Sequence, residues 1–349
     1  MGFQSNIDDD DDRMKRATSF VKFRDLIDLY DVFLLDQYGV LHNGGSEPLE
    51  GVIECLTQLI QHKKHICINS NSPRSSQETL QKLVHSHGLS ILGTSSSSLI
   101  HVVTSGELLH RYIRQHYTDN NTKKRCICFG WDDIQRNQQL GTSHNIISTI
   151  NPNEADYILV LGTGGIVDTQ NGGIVSLPSN MKVTGTLEAK FIEILQIALQ
   201  RNLPMLVGNN DIMARSSSSD TGSSTAIMNY CCGIIANYYH ESMIVRFGKP
   251  SPLIFQECIQ TIIHTTTTTT TTITSTVRVC HVGDSLHHDI IGANNANIDS
   301  IFIAMTGIHA NEISHTTTEQ QQQQQRSLQT LFQQNNNIIP TYTAQSFQW

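Results

Sequence analysis

The chain has 349 residues, 38% hydrophobic and 15% charged. That balance excludes a charge-rich disordered chain and leaves material for two domains, or one core with a large insertion. Its formal net charge is −8, and five of the negatives are the single run Asp8 to Asp12; without a basic face, neither nucleic acid nor an anionic membrane surface is expected as a partner.

In chain order, residues 1–18 read as a disordered acidic N-terminus, acidic before it is apolar and so unlike a secretory leader. Val32-Phe33-Leu34-Leu35 is a short buried strand. A helical pattern follows over 49–62, with Leu49, Val52, Ile53, Leu56, Leu59 and Ile60 on one face. His65 to Ile68 reads as the next strand and 76–87 as the next helix. Residues 100–205 have an alternation of their own and read as an inserted domain. The first rhythm then returns: strand Met243 to Phe247, helix 251–263, strand Val277 to Val282, helix 286–296 and strand 300–304.

Such alternation predicts an α/β fold, a Rossmann-like parallel-sheet core whose functional residues gather beyond the strands' carboxyl ends, with a second, inserted α/β domain. The expected boundaries are 19–99 for the first part of the core, 100–205 for the insertion, 206–312 for the second part with a Thr-rich insertion at 265–276, and 313–349 for a Gln-rich C-terminal segment. The tracts Asp8 to Asp12, Ser95 to Ser98, Ser216 to Ser219, Thr265 to Thr272 and Gln320 to Gln325 read as solvated loops and tails. No stretch approaches the roughly 18 apolar residues of a membrane helix. The eight cysteines lack C-x-x-C spacing, and several, as in Ile66-Cys67-Ile68 and Val279-Cys280, sit in apolar stretches and read as buried free thiols, which points to a reducing, cytoplasmic setting.

Four polar clusters each follow a buried strand: Asp36-Gln37-Tyr38-Gly39-Val40-Leu41, Asn69-Ser70-Asn71-Ser72-Pro73-Arg74, Lys249 in Phe247-Gly248-Lys249-Pro250, and Gly283-Asp284-Ser285 with Asp289 beyond. An α/β sheet gathers them at one edge. Converging carboxylates repel unless a cation neutralises them, and an all-oxygen set suits Mg²⁺. An ammonium, a hydroxyl and a metal together cradle a dianionic phosphoryl group. Taken singly, each residue has a plainer reading: Asp284 as a helix cap, Ser70 and Ser72 as turn residues, Asp289 as a surface helix residue. His287 and His288 face different ways on a helix and read as solvated. Gly162-Thr163-Gly164-Gly165 lacks the lysine of a phosphate loop and reads as an ordinary loop.

The order and content of the four clusters resemble the haloacid dehalogenase (HAD) superfamily of aspartate-nucleophile hydrolases. Phe247-Gly248-Lys249-Pro250-Ser251-Pro252, Gly283-Asp284-Ser285 through Asp289-Ile290-Ile291-Gly292-Ala293, and Leu203-Pro204-Met205-Leu206-Val207-Gly208-Asn209-Asn210-Asp211 are similar to its class IIA branch, whose large α/β cap is inserted between the second and third motifs. The resemblance covers about 20–310. It implies a phosphatase acting on a small phosphorylated metabolite, with Asp36 as nucleophile. Asp36, the Tyr38 carbonyl, Asp284 and Asp289 would hold Mg²⁺, Ser70 and Asn71 would bind the phosphoryl oxygens, and Lys249 would neutralise nucleophile and phosphate. It also implies a cap able to form a homodimer.

One position departs from the pattern. Phosphatases of the superfamily carry a second Asp two residues after the nucleophile as general acid and base; here that position is Tyr38. A positioned acid or base contributes about 10² to 10⁴ in rate, and a phenol with reference pKa about 10 is a reluctant donor. Either the substrate carries an activated leaving group, or His42, six residues beyond Asp36, replaces the Asp; a structural hydrogen bond is the alternative reading of His42. Two other functions stay open: a phosphate-ligand-binding protein without turnover, and a carbon-halide hydrolase, whose members also carry this Tyr but do not need the Mg²⁺-binding acidic motif that Gly283-Asp284 preserves.

Overall fold

The computed structural model describes residues 5–93, 98–117, 124–216, 227–267, 277–313 and 320–349, so most of the Ser95, Ser216 and Thr265 tracts lies outside the described residues. The chain divides into two units. The first comprises Met1–Ser70, Gln77–Val103 and Lys249–Trp349, the second Asn71–Ser76 and Thr104–Gly248.

The first unit is built on a six-stranded sheet in the order Tyr342–Ala344, Asp299–Ile303, Val279–Gly283, Val32–Leu35, His65–Ser70, Ile100–Thr104. The first five of these strands pair in parallel. Val32–Leu35 lies at the centre and is buried along its whole length, because a parallel strand has neighbours on both edges and helices on both faces. Leu35 stands opposite Ile68 on one side and Val282 on the other. In-register parallel strands end together, so the polar residues after each of the three emerge at one sheet edge. The helix Val52–Gln61 turns Val52, Cys55, Leu56 and Leu59 inward; Ile53, expected on that face, is exposed instead, because one position after Val52 the helix has already turned about 100° away, and Cys55 packs in its place.

Both ends of the chain differ from expectation. Asp8 to Asp12 lies within the helix Ser5–Ala17, and Gln320 to Gln325 opens the helix Gln320–Gln334. Glutamine is an adequate helix former. The apolar triplet Leu328, Leu331 and Phe332 that follows has helical spacing and is buried against Leu286, Ile290, Phe302 and Ile313. The tail then supplies the edge strand Tyr342–Ala344; Val21 N–H donates to Thr343 O at 2.9 Å, and the Thr343 hydroxyl donates to Ala17 O. The C-terminal segment is therefore core. Phe332→Ala is expected to cost about 3–5 kcal/mol, as for other buried aromatics cut to a methyl, measured by denaturant unfolding; a loss under 1 kcal/mol would return the segment to the surface.

In the second unit the strands run Ile244–Arg246, Met205–Val207, Tyr157–Val160, Arg125–Gly130, Gly165–Asp168, Ile174–Pro178, with Ile147–Ser148 also on Arg125–Gly130. The first four are parallel and the next two pairings antiparallel. Strand 243–247 was expected in the core sheet. It joins this one instead, with Val245 opposite Leu206, and the unit accordingly continues past 205 to Gly248. Local pattern specifies a strand but not which of two parallel sheets it enters. Among the described residues no helix is long and apolar enough to cross a membrane.

Candidate active site

Asp36 is the first residue beyond the central strand. Its N–H donates to Val282 O at 2.9 Å, carrying the sheet pairing one residue further. Lys249 Nζ lies 2.6 Å from Asp36 Oδ1 and 2.7 Å from Asp289 Oδ1, and the lysine is only 2% exposed. Asp36, Asp284 and Asp289 each bring a carboxylate oxygen within 4.8 Å of the others'. The Ile308 N–H donates to Asp284 Oδ2 at 2.8 Å. Asp289 gives both oxygens to protein donors: Oδ1 faces Lys249 Nζ and His281 Nε2, the latter at 2.8 Å, and Oδ2 accepts the Ser285 N–H at 3.0 Å. It sits on a π-helical turn, Leu286–Ile290, in place of the first turn of the α-helix expected over 286–296; α-helix resumes at Ile291–Asn295.

Two glycines make room for these carboxylates. Gly39 adopts φ +72°, and a Cβ there would stand 2.3 Å from Asp284 Oδ2; one on Gly283 would stand 2.2 Å from Asp289 Cγ. Any side chain at either position displaces an acid.

Three carboxyls and one ammonium in a dry site are electrostatically unequal. Burial, reinforced by Asp289, lifts Asp36 to about 7 against the pull of Lys249. Burial, Asp36 and Asp289 raise Asp284 well above the usual range. Asp289 goes the other way: burial disfavours its charge, but Lys249 and the His281 hydrogen bond outweigh it and hold the carboxyl below the usual range. Burial works against the Lys249 ammonium, and Asp289 and Asp36 more than compensate. The resting state is thus an ionised Asp289–Lys249 pair beside two acids that ionise reluctantly. Carboxylates in this condition await a cation, and an oxygen-only set fits a hard divalent ion.

The other residues singled out in the sequence fall into place as follows. Ser70 is buried in the same unit, and its hydroxyl accepts from the Gln37 side-chain amide. Asn71, the next residue, belongs to the second unit, where its amide donates to Asp211 Oδ1 at 2.8 Å. Tyr38 and His42 meet edge to face at 4.7 Å. His42 is 1% exposed, accepts the Gly44 N–H on Nδ1 at 3.0 Å and stacks on His87 at 3.9 Å. Burial, helped by His87 and Lys82, lowers its pKa to about 3. An enclosed ring whose Nδ1 is spent on its own loop is poorly placed to move protons. His287 pairs with Asn335 and His288 with Ser285, so neither reads as a ligand.

Sequence reasoning missed Gln37 and His281. The signal for His281 was present: Val279-Cys280-His281-Val282 is a buried strand interrupted by one polar ring, and buried polar groups require a partner. Gln37 gave no such sign.

Comparison with known proteins identifies the family. A family model described as haloacid dehalogenase-like hydrolase matches residues 33–141, and a second, HAD-hydrolase-like model matches 246–331. These segments carry Asp36, Ser70, Lys249, Asp284 and Asp289. The chain is a haloacid dehalogenase-like hydrolase of class IIA. This hydrolase is 25% identical over 299 residues to a 4-nitrophenylphosphatase of Schizosaccharomyces pombe, covering 85% of this chain and 91% of the relative. Its fold is similar to a possible sugar phosphatase of the HAD superfamily from Cytophaga hutchinsonii (TM-score 0.61, 19% identity, 94% of this chain and 98% of that one) and to a haloacid dehalogenase-like hydrolase from Brucella suis (TM-score 0.59, 22%, 84% and 92%). The expected α/β core with a second α/β domain is borne out.

Proposed function

We propose that this hydrolase is a Mg²⁺-dependent phosphatase of small phosphorylated metabolites that works through an aspartyl-phosphate on Asp36. The observation that carries the reading is the buried Lys249 ammonium 2.6 Å from Asp36 Oδ1, with the Asp284 carboxyl in the same cluster. Asp36 and Asp284 would hold the ion, joined by the Tyr38 carbonyl that the resemblance implies. Asp289, with both oxygens engaged, acts through Lys249 instead. When bound, the ion neutralises phosphoryl charge so that two anions can approach.

In the first step the Asp36 carboxylate attacks phosphorus in line; the new O–P bond forms as the ester oxygen leaves. Lys249 offsets the charge on both partners, and the Ser70 hydroxyl, oriented by Gln37, binds a phosphoryl oxygen. Water then attacks the aspartyl-phosphate, releasing phosphate and restoring the carboxylate. Tyr38 stands where an acid would protonate the leaving group, so the enzyme favours esters whose leaving group departs as a stable anion. His42 has no proton-transfer role in this scheme. The buried free thiols suit a reducing compartment, and we assign the protein to the cytoplasm.

Phosphate release from a panel of phosphorylated metabolites with Mg²⁺, with Asp36→Asn alongside, tests the reading; no release from any ester would reject it. Tyr38→Asp is expected to raise kcat on alkyl phosphates by about 10²-fold or more while changing aryl phosphates little, measured as the slope of rate against leaving-group pKa. An equal gain on both classes counts against the leaving-group argument.

Removing the metal gives a further prediction. The raised Asp36 and Asp284 hold protons in the folded state that the unfolded chain releases. Their contribution to stability is therefore complete below about pH 4 and is lost as pH rises, for Asp36 through about 7 and for Asp284 as pH passes its own raised value. Asp289, lowered, contributes at all pH values above about 4 and loses its effect only as pH falls below that. In EDTA, Tm should fall between pH 6 and 8. Mg²⁺ at a hundred times its pH 8 Kd restores about 2.7 kcal/mol there, and the same concentration raises Tm less at pH 6, where protons compete. A Tm indifferent to Mg²⁺ at both pH values contradicts this.

A further inference from the structure

The strand Val279–Gly283 points alternate residues to opposite faces, which places His281 and Gly283 on the same side. Asp289 sits against that side. Gly283 leaves the space, since a Cβ there would collide with the carboxylate, and His281 Nε2 reaches Oδ1 at 2.8 Å. Oδ1 already faces the Lys249 ammonium at 2.7 Å, as an accepting carboxylate oxygen does, so Nε2 is the donor. The ring is fully buried and meets the edge of Phe255 at 5.0 Å and 83°, which limits its rotation. An apolar side chain would fill such a place without a desolvation cost, so a buried imidazole there calls for a specific partner. That partner's same oxygen also binds Lys249 Nζ, which in turn meets Asp36.

We propose that His281 is a positioning residue for the reaction: by donating its Nε2–H to Asp289 Oδ1 it fixes the carboxylate and thereby aims the Lys249 ammonium at the nucleophile Asp36. The kinetic part rests on the phosphatase reading. Without the imidazole, Asp289 loses one of its three donors and can turn, drawing Lys249 away from Asp36. The attack step is impaired while substrate still binds.

Two variants and one spectrum test this. On 4-nitrophenyl phosphate with Mg²⁺, His281→Leu is expected to lower kcat about 10- to 100-fold, the loss usual when the partner orienting a site carboxylate or imidazole is removed, with KM unchanged. His281→Gln, whose amide N–H can donate to the same oxygen, recovers most of it. A purely structural role predicts instead that both variants lose Tm and that kcat follows folded fraction. Wild-type kcat in His281→Leu, or a glutamine variant no better than leucine, overturns the proposal. In the metal-free full-length chain, ¹⁵N NMR of labelled histidine should show His281, assigned by its loss in His281→Leu, protonated on Nε2; a ring protonated on Nδ1 overturns the proposal whatever the kinetics. A wild-type chain inert towards every ester rejects the phosphatase reading, and the tautomer alone then decides whether His281 holds Asp289.

Discussion

Asp36→Asn is expected to lower phosphate release by about 10³-fold or more, since an amide cannot attack phosphorus and the loss of a nucleophile removes the pathway rather than one of its supports. The same variant should be more stable than wild type in EDTA at pH 8. Asp36, lifted to about 7, is held by the fold in a state that disfavours its anion, and asparagine keeps the shape without the charge. Activity measured by phosphate release and stability measured by Tm thus move in opposite directions, which separates loss of chemistry from loss of fold. Near wild-type turnover in Asp36→Asn would falsify the aspartyl-phosphate mechanism.

Lys249→Met should cost about 10² to 10³ in kcat, the range seen when one preorganised electrostatic donor is deleted, and it should also destabilise. With the ammonium gone, the carboxyls of Asp36, Asp284 and Asp289 face one another in a dry site. Breaking a buried pair in this way usually costs about 3–5 kcal/mol. The direction with pH follows from the charges. Without Lys249 the carboxyl of Asp289 loses the main cause of its lowering and titrates upward, so all three acids prefer the protonated state. A raised carboxyl supports the fold at low pH and ceases to as pH rises. The stability gap between wild type and Lys249→Met, measured by denaturant unfolding in EDTA, should therefore be wide at pH 8 and narrow at pH 5. A gap that widens on acidification would show that the lysine is not the counter-ion of this cluster.

Much of the first unit was legible because its strands are short, wholly apolar and separated by helices of period 3.6. Val32–Leu35 and the helix Val52–Gln61 lie where the pattern puts them. The site was legible for the same reason: parallel strands that end together leave Asp36, Ser70 and Asp284 nowhere else to emerge. Three things were hidden. The strand Ile244–Arg246 looks the same in either of two parallel sheets, and only pairing with Met205–Val207 assigns it. The Gln320–Gln325 run masks the apolar residues after it, since composition over the tail as a whole is polar while Leu328, Leu331 and Phe332 are buried individually. The division of labour among the acids depends on which oxygen meets which donor. Spacing makes Asp289 a metal ligand as readily as Asp284, and spacing does not reveal that Asp289 also meets Lys249, His281 and the Ser285 N–H.

The discontinuity of the first unit dictates an order of events during synthesis. One of the two sheet neighbours of Val32–Leu35, Val279–Gly283, leaves the ribosome well after it, as does the outermost strand, Tyr342–Ala344. Nearly all of the second unit, Thr104–Gly248, is by then available as one uninterrupted stretch with its own sheet. Domains fold as units while the chain emerges. The inserted piece should consequently acquire native structure first, while the nucleophile-bearing strand waits, half-paired, until Val279–Gly283 has been made.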